Sequence, residues 1–334
     1  MSPPEQLIRR LQVRAPAKIN PYLAVRGVRD DGYHELTTVF QSVALSDTLV
    51  LTLRPGHRQP LAEGVRPLGQ SRRRMALALT HDAGPSVPTG SANLVVAAAA
   101  ALAERLDLDL VILGDSEETV EADLHTTIDL HKRIPVAGGM AGGSVNAAAA
   151  LVGLNELWTG ELSRASLQEI GATLGSDIPF GVIGGSALAT GTGTTLAGVL
   201  ARGTFDWVVC TAAEELSTPE VYAAWDEHCA PGGESEPDAV LSAIASADPE
   251  ALGAALHNDL QAAAEMLLPR LVGDQKALMD AGALGAIVSG SGPTLLALAA
   301  DSEEAQRIAG RVAGRFAAVH LTRSPASGPV TTPV

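Results

Sequence analysis

Lys18 and Asn20 lie two residues apart between Pro16 and Pro21 in "APAKINPYLAV". On an extended strand, residues two apart share a face. An ammonium and an amide directed together into a cleft suit an anionic group in transit and the hydroxyl that receives it. The chain writes positive charge almost wholly as arginine, with twenty arginines against three lysines, Lys18, Lys132 and Lys276. A lysine kept inside so short a motif therefore stands out from a solvated edge-strand lysine. A second feature is "HKRIPVAGGMAGGSVNAAAALV", residues 131 to 152, in which Gly138, Gly139, Gly142 and Gly143 precede an alanine-rich run. Glycines let successive N–H groups turn inward as an anion nest, and the helix that follows adds its unpaired N–H groups and dipole. Ser144 at the helix start offers a hydroxyl to phosphate or metal, and Lys132 and Arg133 add charge just upstream. Close helix–strand packing would also use glycines, but their combination with Ser144 and an immediate long helix favours phosphate.

Three further stretches carry weaker signals. In "GSDIPF", Asp177 precedes Ile178 and Pro179, a position where a turn or capping aspartate is the usual explanation. "DGYHEL" reads as a turn carrying Tyr33 and His34, residue types that, taken alone, are more often loop packing than ligand contacts. "SGSGPTLLALAA" places Gly290, Ser291 and Gly292 before a strand, either as a tight turn or as a backbone approach to a ligand. Other chemistries lack their motifs. No lysine follows a glycine as a Walker A loop requires, and G-x-G-x-x-G, G-x-S-x-G and H-E-x-x-H are all missing from the sequence.

The elements that must position these residues follow from pattern. Residues 11 to 53 read as β-branched strands separated by turns. Residues 54 to 90, dense in Pro, Gly and Arg, read as a mobile insertion. A helix is expected from Asn93 to Leu106, opened by Ser91 or Asn93, and "HTTIDLHKRI" marks a strand through Ile128, Leu130 and Ile134. The helix after the glycine loop is apolar on most sides and so buried, and Ser163 can cap the next one. "GSDIPFGVIGGSALATG" reads as a turn and a small-residue strand. The pattern then restarts: strand "FDWVVCTA", a helix with Thr218 as N-cap and Pro219 at its first position, and a last strand at "AVHLT". These give two α+β domains, 1–196 and 197–323, with a boundary near 190 to 204 and a Pro/Ser/Thr-rich, disordered tail at 324–334.

Composition narrows the class. With 334 residues, 46% hydrophobic, the chain can bury a sizeable core. A net charge of −15 argues against a nucleic-acid partner. The Arg72–Arg74 cluster looks like solvated loop. No apolar run is long enough for a bilayer, the first residues lack a signal peptide's apolar centre, and Cys210 and Cys229 form neither a metal spacing nor a disulfide framework. A cytoplasmic protein is expected, without membrane or nucleic-acid partners, as a monomer or homodimer.

Taken together and in order, "APAKINPYLAVRGVRDDGYHEL", "IPVAGGMAGGSVNAA", "LGSDIPF", "LSTPEVY", "HNDLQ" and "SGSGPTLLAL" make the chain resemble the GHMP small-molecule kinases from about residue 11 to 322. The resemblance implies a two-domain fold, ribosomal S5-like then ferredoxin-like, with a cleft for ATP, Mg2+ and substrate. It implies that Lys18 and Asp177 flank the hydroxyl to be phosphorylated and that Asn20 helps hold the substrate. The loop Pro135, Val136, Ala137, Gly138, Gly139, Met140, Ala141, Gly142, Gly143, Ser144 and Val145 would carry the ATP phosphates, with Asn93 and Lys132 near the nucleotide. Within the family, "GYHEL" and "STPEVY" resemble the members that phosphorylate a cytidine diphosphate-linked polyol. There Tyr33 and His34 would recognise the cytosine, Tyr222 would stack on its other face, and Thr218, Gly290, Ser291 and Gly292 would be nearby. A homoserine- or mevalonate-type kinase is the alternative. Three departures from the family loop stand out: Met140 for Leu, Ala141 for Gly, and Val145 for a second Ser, which leaves Ser144 as the only loop hydroxyl.

Overall fold

The structure, a computed structural model, describes residues 8–30, 32–56, 72–84, 87–113, 120–136, 138–229 and 235–334. A long hairpin of β1 (Arg9–Val28) and β2 (His34–Pro55) leads into β3 (Arg74–His81), α1 (Leu94–Arg105), β4 (Asp109–Ile112) and β5 (Leu124–His131). Then come α2 (Gly142–Leu157), α3 (Arg164–Ala172), α4 (Ile178–Ile183), β6 (Ser186–Gly191) and β7 (Thr195–Gly198). The second half runs β8 (Phe205–Thr211), α5 (Thr218–His228), α6 (Asp238–Ser246), α7 (Pro249–Ala255), β9 (His257–Asn258) and α8 (Gln261–Leu267). It ends with α9 (Arg270–Asp280), β10 (Gly285–Val288), β11 (Leu295–Ala299), α10 (Ser302–Val312), β12 (Ala318–Ser324) and β13 (Val330–Pro333).

Among the described residues, the larger sheet is ordered β13-β1-β2-β5-β3-β4, with β6 also on β2, β7 on β6 and β9 on β1. Near its start β1 alternates, burying Leu11, Val13, Ala15 and Ala17; from Ile19 it is buried on both faces. The cover is α2, whose residues Val145 to Leu154 are all buried. Its small side chains permit the close approach: a Cβ on Gly153 would stand 2.5 Å from Leu51 Cδ1 and 2.6 Å from Val13 Cγ2. The second sheet is antiparallel throughout, ordered β10-β11-β8-β12, with helices in both crossovers, which is the ferredoxin-like arrangement. Two expected caps form: Asn93 Oδ1 accepts from Val95 N–H at 2.9 Å and Ser163 Oγ from Ser166 N–H at 3.1 Å. No helix among the described residues is long and apolar enough to cross a membrane.

Several expectations need correction. Residues 324–334 are not a disordered tail: β13 pairs antiparallel with Leu11–Arg14 of β1, because that strand would otherwise present an open row of N–H and C=O groups to water. The 54–90 stretch is not simply a mobile insertion. β2 runs on to Pro55, and β3 enters the sheet between β5 and β4, although 57–71 and 85–86 lie outside the described residues. Arg74 begins β3, and Arg72 pairs with Asp107 at 2.6 Å rather than pointing into solvent alone. "DIPFGVI" is the helix α4 and its lead-in, not a turn. α5 has Ser217 at its N-cap without a side-chain cap bond; the Thr218 hydroxyl instead meets Ser291 Oγ at 2.8 Å.

Candidate active site

The two prolines that bracket Lys18 and Asn20 explain their aim. Neither has an N–H for the ladder, and the register of β1 against β2 shifts between Pro16 and Lys18 and again between Ile19 and Tyr22. Such bulges re-aim side chains. Lys18 Nζ donates to Asn20 Oδ1 at 2.8 Å, Asn20 Nδ2 to Thr38 Oγ1 at 2.8 Å, and Thr38 Oγ1 to the Tyr22 carbonyl at 2.6 Å. All three side chains are buried, with Lys18 6% and Asn20 1% exposed. The chain of bonds fixes the ammonium, which also lies 5.2 Å from the centroid of the Phe40 ring.

Asp177 occupies the residue before α4 but makes no capping hydrogen bond. Its carboxylate turns to Lys18 instead, with Oδ2 3.7 Å from Nζ and the side chain 28% exposed toward the cleft. The spacing predicts a same-face Lys18 and Asn20, and they are joined as predicted. Nothing local to "GSDIPF" would have paired its aspartate with β1.

The glycine loop is pinned from two sides. Lys18 N–H donates to the Met140 carbonyl at 3.3 Å, and Ser289 Oγ donates to the Gly139 carbonyl at 3.2 Å. Gly139 and Ala141 have φ of 72° and 54°, left-handed backbone on either side of Met140, which is the kind of conformation from which anion-binding concavities are built. Met140 and Val145 are each 1% exposed and pack in the core, so neither side chain faces the cleft. The loss of a second serine at 145 is a core substitution here. Ala141 is the departure with a backbone consequence, since an L side chain in the left-handed region costs about 1–2 kcal/mol. Ala141→Gly is expected to raise the unfolding free energy by about 1 kcal/mol, read as a higher midpoint in thermal or denaturant melts.

Lys132 lines the cleft and is also held from behind. Its ammonium forms an ion pair with Asp47, a fully buried carboxylate 85 residues away that also accepts from the N–H groups of Arg133 (2.6 Å) and Ile134 (2.8 Å). Lys132 thus braces the entry to the glycine loop, with Nζ 3.1 Å from where a Cβ on Gly142 would lie. Asn93 borders the cleft, but its amide both caps α1 and donates to the Pro88 carbonyl at 2.6 Å.

A single cleft of about 1090 Å³ joins these groups. Lys18, Asn20, Asp177, Asn93, Lys132 and the loop residues Pro135, Val136, Gly138, Gly139 and Ala141 to Ser144 line it. Tyr33, His34, Thr218 and Tyr222 line it as well, as do Gly290 and Ser291; a Cβ on Gly290 would stand 3.1 Å from the Gly139 carbonyl oxygen and 3.8 Å from Lys18 Nζ, beside the glycine loop. Met140, Val145 and Gly292 do not, and Ala137 lies outside the described residues. Tyr33 is 67% exposed. Tyr222 packs on the imidazole of His34, centroids 4.5 Å apart. Burial first, and then the charge of Asp177, push its phenol up to about 12, so it remains a donor.

Sequence reasoning missed Thr38, Phe40, Asp47, Asp226 and Asn258. Asn258 had a signal, since it lies in "HNDLQ"; its amide donates to the carbonyls of Val288 (2.9 Å) and Gly290 (2.8 Å) and shapes the turn that presses on the glycine loop. The others are single residues whose partners are far off in sequence. Among the described residues no three His, Cys, Asp or Glu groups cluster to hold a metal unaided. The oxygen donors Asp177 and Ser144, both on the cleft, fit a hard cation that takes its remaining ligands from phosphates.

The arrangement as a whole is a buried, hydrogen-bonded ammonium beside a carboxylate, in one cleft with the glycine loop at the start of α2 and with Tyr33, His34 and Tyr222. The "GHMP kinases N terminal domain" model matches residues 93–190 and the "GHMP kinases C terminal" model residues 240–318. The chain is 44% identical over 321 residues to the 4-diphosphocytidyl-2-C-methyl-D-erythritol kinase of Nocardia farcinica, covering 95% of this chain and 94% of that protein. It is 40% identical to the like-named protein of Mycobacterium tuberculosis (95% and 90% covered). A crystal structure of 4-(cytidine 5'-diphospho)-2C-methyl-D-erythritol kinase superposes with a TM-score of 0.71 at 28% identity, covering 95% of this chain and all of that one. A homoserine kinase from Cytophaga hutchinsonii shares the fold, with a TM-score of 0.68 at 16% identity over 99% of both chains.

Proposed function

The chain belongs to the GHMP kinase family, and from that premise we propose that it transfers the γ-phosphoryl group of ATP to the 2-hydroxyl of 4-diphosphocytidyl-2-C-methyl-D-erythritol, giving the 2-phosphate and ADP in the non-mevalonate route to isoprenoid precursors. The observation that carries the reading is the Lys18–Asp177 pair, 3.7 Å apart, in one cleft with the glycine loop and with aromatic and imidazole side chains suited to a nucleobase. Full-length identity of 40–44% to kinases of that name supports the substrate.

Phosphoryl transfer leaves the protein mainly positioning and charge stabilisation. The N–H groups of the loop from Gly138 to Gly143 receive the β- and γ-phosphate oxygens, helped by the dipole of α2. Lys18, held by Asn20, offsets charge on the transferring group. The substrate oxygen forms its bond to phosphorus as the bond from phosphorus to the ADP oxygen breaks, and the hydroxyl proton passes to the Asp177 carboxylate. Ser144 and Asp177 would hold Mg2+, which would neutralise charge between the phosphates. Tyr33, His34 and Tyr222 position the cytosine, and the Thr218–Ser291 pair closes the cleft beside it.

A homoserine- or mevalonate-type acceptor has no base to place against that end. An ADP-release assay with ATP and Mg2+ decides the matter. Saturable ADP formation is expected with 4-diphosphocytidyl-2-C-methyl-D-erythritol and with neither homoserine nor mevalonate. Turnover of either of those alone would replace the reading.

A further inference from the structure

Among the groups that line the cleft, one carboxylate, on α5, has no part in the proposed transfer. Asp226 Oδ1 lies 2.8 Å from His34 Nε2. His34 is the first residue of β2 and its side chain is 13% exposed. It is held on three sides by α5. The Tyr222 ring lies 4.5 Å away at 33°, the Trp225 ring 5.8 Å away at 84°, and Asp226 takes the ring nitrogen. Positions 222, 225 and 226 share one helix face, so a single turn of α5 fixes both the plane and the in-plane rotation of the imidazole.

Stacking alone would leave His34 free to present either tautomer. A carboxylate can only accept, so Nε2 must carry the proton. In the neutral ring Nδ1 then keeps its lone pair, and it has no hydrogen bond to any described residue. His34, Tyr222 and Asp226 all line the cleft.

We propose that Asp226 is a positioning residue that sets the base specificity of the site, by locking His34 as an acceptor toward the pyrimidine. The inference rests on the cytidine-containing substrate read above. Cytosine offers an amino group at C4, a donor that an imidazole lone pair can accept. Uracil offers a carbonyl there, so two lone pairs would face each other and neither would regain the hydrogen bond it lost on leaving water. Aromatic stacking is blind to this difference, so discrimination has to come from a polar group of fixed sense.

The test is steady-state kinetics of the wild type, Asp226→Asn and Asp226→Ala with the cytidine substrate and its uridine counterpart. Calorimetric titration of CDP and UDP and the 15N shifts of the His34 ring complete it. The wild type is expected to prefer cytidine. Asp226→Ala should raise the KM for the cytidine substrate by about tenfold or more, leave kcat and the KM for ATP within about twofold, and shrink the cytidine-to-uridine ratio by about tenfold. Asp226→Asn, whose amide can accept from or donate to Nε2, should fall between, and both variants should lose the pure Nε2–H signature. An unchanged cytidine-to-uridine ratio in both variants, whether or not KM rises, would overturn the proposal and leave Asp226 a packing residue. Should Asp226→Ala unfold, the CDP-to-UDP ratio of Asp226→Asn decides. A wild type that ignores the cytidine substrate overturns the functional reading and this inference with it, whereas a wild type that turns it over with an Asp226-independent ratio overturns this inference alone.

Discussion

Asp177→Asn is expected to lower kcat by a factor of about 10² to 10⁴, the usual contribution of a positioned general base, with the substrate KM little changed. The amide has the same shape as the carboxylate but cannot take the proton of the attacking hydroxyl. The fold should tolerate the change, because the Asp177 side chain makes no capping bond to α4 and is 28% exposed to the cleft. Removing the charge also removes a gross Coulomb attraction of about 4 kcal/mol for an ion pair near 4 Å at an effective dielectric of 20. Lys18 keeps its bond to Asn20 at 2.8 Å and the Phe40 ring 5.2 Å away, so the ammonium stays placed. An ammonium released from its carboxylate is free to attract phosphate, so ATP titrated without Mg2+ should bind at least as well, whereas with Mg2+ the loss of an oxygen ligand opposes that gain. ADP release at saturating substrates, with equilibrium titration of ATP, separates the two effects. Turnover within about tenfold of wild type would take Asp177 out of the proton-transfer role.

What could be read in the sequence followed from how local each cause is. The same-face rule for a strand placed Lys18 beside Asn20, and the glycines and alanines of 138–152 announced a tight loop feeding a buried helix. Both depend on residues within a few positions. The ion pair of Lys132 could not be read, because Asp47 lies on another strand and a lysine next to a phosphate loop looks the same with or without a buried counter-ion. Asp226 was invisible for the same reason, being 192 residues from His34. The 324–334 segment has the composition of a tail, but composition says nothing about an unpaired strand edge at Leu11–Arg14 waiting for a partner. The Pro/Gly/Arg-rich run hid β3 because a short strand between two others draws its stability from the neighbours' hydrogen bonds more than from its own sequence.

The other large effect expected is structural in origin. Gly139→Ala should cost about 2–3 kcal/mol of stability and raise the KM for ATP sharply. Gly139 has a φ of 72°, and a Cβ there would stand 1.9 Å from the Ser289 carbonyl oxygen and 3.2 Å from the Gly292 nitrogen. These are backbone atoms of a turn that is itself closed by Gly292 N–H to the Ser289 carbonyl at 2.8 Å, so they cannot swing aside as a side-chain end could. The Ser289 hydroxyl holds the Gly139 carbonyl at the same junction, and Asn258 braces the turn from behind. A methyl group would therefore push the anion nest away from the 289–292 turn and tilt its N–H groups off the phosphates. Gly143→Ala is the matched comparison. Its added Cβ would meet nothing closer than Leu94 Cδ1 at 3.5 Å, an ordinary contact, and it lies within α2, where alanine is the better helix former. Denaturant melts should therefore show Gly139→Ala losing stability and Gly143→Ala keeping or gaining it. Equal losses in the two variants would mean that general loop flexibility, rather than the close approach of the two backbones, is what the glycines provide.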